Sequence, residues 1–251
     1  MTVKEKLARG TPSIGSWLQI GNTATAEIMA RSGFDWLCID LEHSAMDLAE
    51  AESLIRIIDL CGVAPLVRLS VNDPVQIKRV MDSGAHGIIV PMVNSAAEAQ
   101  AAVDGIYYPP RGRRGVGLYR AQGYGVTFEA YKTWLAASCL CIVQVEHIEA
   151  VNNLEAILAV DGVDGFIIGP YDLSASLGRP GDFENPEFTA ALARIETVGQ
   201  ASGKVRGIHV VEPDHAALRA RLAQGYTFVA YSIDTRMLDV ACRAGLAAAR
   251  A

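Results

Sequence analysis

Short β-branched runs alternate with helix-length stretches along the whole chain, and the alternation repeats eight times in 251 residues. Such a pattern calls for parallel strands joined by crossover helices, because a tight turn cannot connect parallel neighbours. Strands are predicted at 14–17, 36–40, 65–69, 87–91, 140–146, 165–169, 206–211 and 228–234. Amphipathic helices are predicted between them, among others over 49–60, 74–83, 150–160 and 186–202. The pairs Ser32-Gly33, Ser83-Gly84, Asp161-Gly162, Ser202-Gly203 and Gln224-Gly225 each place a glycine where a helix should end. Eight units in a chain of this length favour an α/β fold of the closed (β/α)8 TIM-barrel type, one domain spanning residues 1–251, over an open doubly wound sheet. No G-x-G-x-x-G follows the first strand, and no Ser/Gly/Pro-rich stretch or charge run offers a linker.

Composition narrows the partners. Hydrophobic residues make up 51% of the chain, which suits strands buried on both faces. The formal net charge of −6 gives no attraction to a nucleic-acid backbone, and Arg111, Arg113 and Arg114 form a local cluster, not a basic stripe. No apolar run approaches the ~20 residues that span a bilayer. The opening MTVKEKLARGTP is polar and lacks an apolar signal core. Cys38, Cys61, Cys139, Cys141 and Cys242 are odd in number and have no framework spacing, so a reducing cytoplasm is expected. Cys139 and Cys141 stand two apart at the start of a strand and read as packing residues on one face.

In such a barrel the polar residues at the carboxyl ends of strands are the candidates for chemistry. Those ends offer Trp17 and Gln19; Asp40, Glu42 and His43; Arg68; Pro91; Gln144 and Glu146; Asp172; Glu212; and Ser232 with Asp234. Glu146 and Asp172 lie one β/α unit apart, on strands that should be neighbours about 4.8 Å apart. Together they can reach one hard cation, whose remaining oxygens a 2-oxo acid and water can supply. They read equally as capping or salt-bridged loop acids, and spacing alone does not choose. Arg68 stands where it could balance a bound oxo acid or make a structural ion pair. The backbone of Gly169-Pro170-Tyr171-Asp172, opening a short helix, could hold a carboxylate or be an ordinary capped turn. His43 could carry protons at neutral pH or be incidental. His86, His147, His209 and His215 show no metal-ligand spacing, which disfavours a zinc hydrolase. None of the five lysines, Lys4, Lys6, Lys78, Lys132 and Lys204, falls at a strand's carboxyl end. A Schiff-base route is therefore disfavoured, and a metal remains as the electron sink. The stretch from Tyr107 to Tyr124, YYPPRGRRGVGLYRAQGY, is long, and is expected to follow strand four on the mouth face.

Several segments resemble the HpcH/HpaI aldolase family, the metal-dependent class II pyruvate aldolases. They are FDWLCIDLEHSAMD, APLVRLSVNDPVQIKRVMDSGAHGIIVPMVN, YYPPRGRRGVG, CIVQVEHIEAVNNLEAIL, VDGFIIGPYDLSASLG and FVAYSIDTRML, and they recur in order from about Ser13 to Leu238. The resemblance implies cleavage or formation of 4-hydroxy-2-oxo acids from pyruvate and an aldehyde through a metal-stabilised pyruvate enolate. It implies a divalent ion (Mg²⁺, Mn²⁺ or Co²⁺) on Glu146 and Asp172 with Gln144 nearby, and no organic cofactor. Arg68 would contact the keto oxygen, the backbone around Gly169, Pro170 and Tyr171 the carboxylate, and His43 would move a proton beside Trp17. It further implies a hexamer in which the last helix is exchanged between subunits. The acidic partner of His43 is left open between Asp40 in the same chain and Asp82 of a neighbour. His147 stands where Thr is usual, and Tyr171 where Ala or Ser is common, so both bear on the aldehyde pocket. A lyase acting on CoA thioesters on a related barrel would need a basic groove, for which Arg111–Arg120 is the only candidate. A non-catalytic oxo-acid-binding protein would keep the pocket and lose turnover.

Overall fold

Eight parallel strands close on themselves in chain order in this computed structural model, which describes residues 1–250. They are β1 (Ser13–Leu18), β2 (Trp36–Asp40), β3 (Ala64–Arg68), β4 (Gly87–Val90), β5 (Leu140–Val145), β6 (Gly165–Ile168), β7 (Val205–Val210) and β8 (Phe228–Ile233). Every strand lies within one residue of its expected ends. The helices are α1 (Val3–Ala8), α2 (Thr23–Ala30), α3 (Leu48–Leu60), α4 (Pro74–Asp82), α5 (Ala96–Ile106), α6 (Phe128–Ser138), α7 (Ile148–Asn152), α8 (Leu154–Leu158), α9 (Pro170–Ser176), α10 (Pro186–Ser202), α11 (His215–Ala223) and α12 (Asp234–Arg250). Local chemistry sets their ends. Asp47 and Asp73 cap α3 and α4 by accepting from first-turn N–H groups. Gly203 ends α10 at φ 66°, a conformation that a side chain would strain.

Two cores follow from the period-two alternation of the strands. Inward residues fill the barrel: Trp36 stacks on Phe228 with ring centroids 4.3 Å apart, among Cys38, Leu66, Ile89 and Ile142. Outward residues, the buried Cys139 and Cys141 among them, pack under the helices. The inner core is closed at the amino end by Val3 and Leu7 of α1, a helix not expected from the polar opening of the chain. Its signal was a Thr2/Glu5 capping box, in which each side chain accepts from the other's backbone N–H.

Two expectations are corrected. The helix predicted over 150–160 is broken at Asn153, whose amide donates to the Asn94 carbonyl at 2.8 Å. The stretch from Tyr107 to Tyr124 does not lie at the mouth. Strand four's own mouth connection is short, and α5 carries the chain back to the amino end before the stretch begins. There Arg114 pairs with Asp82 at 2.5 Å and Arg120 with Asp59 at 2.5 Å, while Arg111 stacks on the Tyr107 ring. The only stretch basic enough for a CoA nucleotide thus lies at the opposite end from the strand-end acids, with Arg114 and Arg120 neutralised.

The chain's last turns are unusual for a barrel. In α12 only Asp234 is buried, and in α11 nothing is. Among the described residues no helix is long and apolar enough to cross a membrane.

Candidate active site

Four odd strands each send one side chain to the same level: Trp17 from β1, Arg68 from β3, Gln144 from β5 and His209 from β7. Alternate strands build such layers in a barrel of this kind. The four form the floor of a cavity of about 270 Å³, walled by Gln19, His43, Gly169, Tyr171, Asp172 and Val211 among others.

Arg68 is locked from one side. Its Nε donates to Asp40 Oδ1 at 2.9 Å and its Nη2 to Oδ2 at 2.7 Å, and its guanidinium carbon lies 4.3 Å from the centre of the Trp17 ring. This fork leaves Nη1 with no protein partner among the described residues. Asp40 is fully buried and also accepts from Gln19 Nε2 and from the backbone N–H groups of Glu42 and His43. Burial pushes the Asp40 carboxyl up, but the Arg68 guanidinium, with help from Gln19 and the His43 N–H, holds it below its ordinary value. Asp40 therefore holds Arg68 and the His43 backbone. It does not contact the His43 ring, whose acidic neighbour in this chain is Glu42, 3.6 Å from Nε2. Asp82, at the end of α4, lies at the amino face beside Arg114, and the fold does not bring it to His43 of its own chain.

Glu146 follows β5 and is buried. Its Oε1 accepts from the Met92 N–H at 2.7 Å, and its Oε2 from the Gln144 amide. Burial raises its pKa; those two hydrogen bonds oppose the shift, and the charge of Asp172 adds to it. Gln144 Oε1 is buried with no partner. Gly169 is needed beside them, since a Cβ there would meet the Glu146 Cβ and Oε2 at 2.8 Å. Two carboxylates and an unsatisfied amide oxygen make an oxygen donor set of the kind a hard cation takes, and a cation would relieve the charge that burial penalises. Among the described residues no third acid, His or Cys joins them as a cluster. In the turn into α9 the Gly169 N–H is already bonded to the Val145 carbonyl and Pro170 has none, so only the N–H groups of Tyr171 and Asp172 are left for a ligand.

Two mouth residues, Glu42 and His209, carry no catalytic role in the sequence reading. Glu42 lies 3.3 Å from Arg68 Nε, and its Oε2 has no hydrogen bond. Burial raises its pKa to about 7, with Arg68 opposing and Glu146, Asp40 and Asp172 adding. Its position beside His43 was visible in the sequence, but its burial was not. In the sequence His209 bears only on metal-ligand spacing; its inward orientation follows from strand alternation once Gly207 and His209 are placed on one face. His147, by contrast, caps α7, with Nδ1 accepting from the Glu149 N–H at 3.1 Å. A ring nitrogen thus does the capping work that a Thr hydroxyl can do. Tyr171 is 57% exposed and meets Phe183 edge to face. No lysine lines the cavity.

A family model described as HpcH/HpaI aldolase/citrate lyase matches residues 13–240. The chain is 42% identical over 239 residues to the hydroxypyruvate/pyruvate aldolase of Roseobacter denitrificans, covering 94% of this chain and 92% of that one. It is 42% identical over 238 residues to a 4-hydroxy-2-oxo-heptane-1,7-dioate aldolase of Salmonella typhimurium, covering 94% and 89%. A HpcH/HpaI aldolase/citrate lyase family protein of Burkholderia cenocepacia superimposes with a TM-score of 0.93 at 35% identity, over 99% of both chains.

Proposed function

The chain belongs to the HpcH/HpaI aldolase/citrate lyase family and is a carbon–carbon lyase; from that premise we propose that it is a class II pyruvate aldolase, joining pyruvate to an aldehyde and cleaving the resulting 4-hydroxy-2-oxo acid. The observation that carries this reading is that one cavity holds a free Arg68 Nη1, the unpartnered Gln144 oxygen and Asp172, with the buried Glu146 carboxylate bonded to Gln144 beside them.

Glu146 and Asp172, with Gln144 beside them, would hold a divalent ion such as Mg²⁺, Mn²⁺ or Co²⁺. Bound there, the ion would polarise the carbonyl of the oxo acid. The N–H groups of Tyr171 and Asp172 hold the carboxylate of pyruvate. Arg68 Nη1 donates to the keto oxygen and stabilises it as negative charge develops, a contribution of about 3–4 kcal/mol for a well-placed donor. Asp40 keeps the guanidinium plane fixed, and Trp17 covers its other side. In cleavage His43, exposed at the rim, takes the proton from the C4 hydroxyl; the C3–C4 bond breaks, the aldehyde leaves, and the enolate is protonated to pyruvate. Chelator-treated protein should lose cleavage of a 4-hydroxy-2-oxo acid and regain it with Mg²⁺, Mn²⁺ or Co²⁺. Full activity after verified metal removal would contradict the reading.

We also propose a homo-oligomer, a hexamer in which α12 packs on a neighbour. The support is that α12 leaves Leu238 58% and Leu246 55% exposed, and that no residue of α11 is fully buried. In such an assembly Asp82 of one subunit could approach His43 of another. The five free thiols fit a reducing cytoplasm.

A further inference from the structure

Three of the four floor residues have a part in the chemistry above, and the fourth, His209, has none. Its surroundings define what its ring can do. Ser232, near the end of β8, sits at φ 55°, in the left-handed region that side chains other than glycine rarely adopt. Its carbonyl oxygen accepts from Ser16 Oγ at 3.1 Å and lies 3.3 Å from His209 Nε2. A carbonyl can only accept, so Nε2 carries the hydrogen and Nδ1 keeps a bare lone pair. No protein group among the described residues donates to Nδ1. Burial holds the imidazole pKa down to about 4, the Ser232 contact opposing and Arg68 adding, so the ring is neutral at neutral pH. Trp17 stands edge-on to it, ring centroids 5.7 Å apart.

Position then assigns the partner. The groups given to the oxo acid come from β3, β5 and the turn after β6. The remaining wall belongs to β7, β8 and β1, where Trp17, Gln19, His209, Val211 and Ile233 face the cavity. Gln19 is already engaged at both ends of its amide, its nitrogen donating to Asp40 and its oxygen accepting from the Thr235 hydroxyl, which leaves that oxygen one lone pair. Val211 and Ile233 are apolar. Among the described residues of this wall, His209 Nδ1 is therefore the side-chain acceptor that has no hydrogen bond at all.

Resting on the aldolase reading, we propose that this wall receives the aldehyde and that His209 Nδ1 accepts a hydrogen bond from a hydroxyl on it, so that the enzyme selects hydroxyaldehydes over aldehydes without a hydroxyl. An unsubstituted aldehyde would cover the nitrogen and leave it without a donor, which is the arrangement a hydrogen-bonding site rejects most strongly.

The test measures kcat/KM with pyruvate for glyceraldehyde and for propanal, which share a three-carbon skeleton. Wild-type enzyme should favour glyceraldehyde by about fivefold or more, the ratio that one hydrogen bond of typical net strength supports. His209→Leu should bring the ratio to within about twofold of one, and His209→Gln, whose side-chain oxygen still accepts, should keep part of it. Each ratio is internal to one protein, so differences in yield do not enter. A wild-type ratio near one, or an unchanged ratio in His209→Leu, would overturn the assignment while leaving the aldolase reading intact. Absence of turnover with either aldehyde, together with absence of pyruvate methyl exchange, would overturn the aldolase reading and this assignment with it.

Discussion

Glu42 shows most clearly how the mouth treats charge. Burial and the charges of Asp40, Glu146 and Asp172 disfavour its ionised form, and the Arg68 guanidinium opposes them. Its pKa of about 7 in the folded chain lies above the unfolded value of ~4.3. The folded state therefore binds the extra proton between those values. Stability rises as pH falls from about 7 toward ~4.3, and the penalty of the buried charge is fully present above 7. Glu42→Gln should accordingly raise the melting temperature of metal-free protein at pH 8 and do so much less at pH 5. Equal gains at both pH values would show that the effect is not the charge. At this scale the sequence was partly legible. Arg68, Glu146 and Asp172 could be found because polar residues at strand ends stand out. His209 could not, because a histidine inside an otherwise apolar strand gains meaning only when eight strands close and alternate strands share a level.

The strand–helix turns carry the next level of constraint. The turn from β6 into α9 is shaped by Gly169, which lets the Glu146 carboxylate lie against the backbone. Gly169→Ala should displace that carboxylate, because its Cβ would come within 2.8 Å of Glu146. The expected outcome is at least about a tenfold loss of divalent-metal affinity by titration calorimetry, as seen when groups that orient a metal ligand are disturbed. Unchanged affinity would mean the ligands are placed elsewhere. Strand positions were legible to within one residue because short β-branched runs between glycine caps leave little choice. The break at Asn153 was not, since the apolar period of 150–160 continues through it and the cause is a bond to Asn94, distant in sequence. The placement of Tyr107–Tyr124 failed for a related reason. Its length suggested function, but which end of the barrel it occupies depends on α5 having already crossed the barrel.

At the scale of the whole molecule, α12 is the element the single chain does not explain. Asp234 anchors its start by accepting from the Gln19 and Ile20 N–H groups, and no later residue of the helix is fully buried, although Met237 packs against the core. Burying its apolar residues on a neighbour would contribute roughly 25 cal/mol per Å² of apolar area removed from water. Truncation after Met237 should reduce the mass found by light scattering from that of an oligomer toward a single chain. A truncated protein that assembles like the full chain would remove the exchange of this helix from the account.

The central claim is that Arg68 and the Glu146/Asp172 pair act on pyruvate before any aldehyde takes part. Loss of the pyruvate methyl protons to D₂O, followed by NMR without aldehyde, isolates that step. Wild-type protein with Mg²⁺ should exchange them, chelated protein should not, and Arg68→Ala should slow exchange by about 10²–10³-fold, the usual effect of removing one charge-stabilising donor. His43→Ala should retain more exchange than Arg68→Ala while losing most cleavage, because its proton is that of the C4 hydroxyl. Exchange at the wild-type rate in Arg68→Ala, or in metal-free protein, would contradict the account.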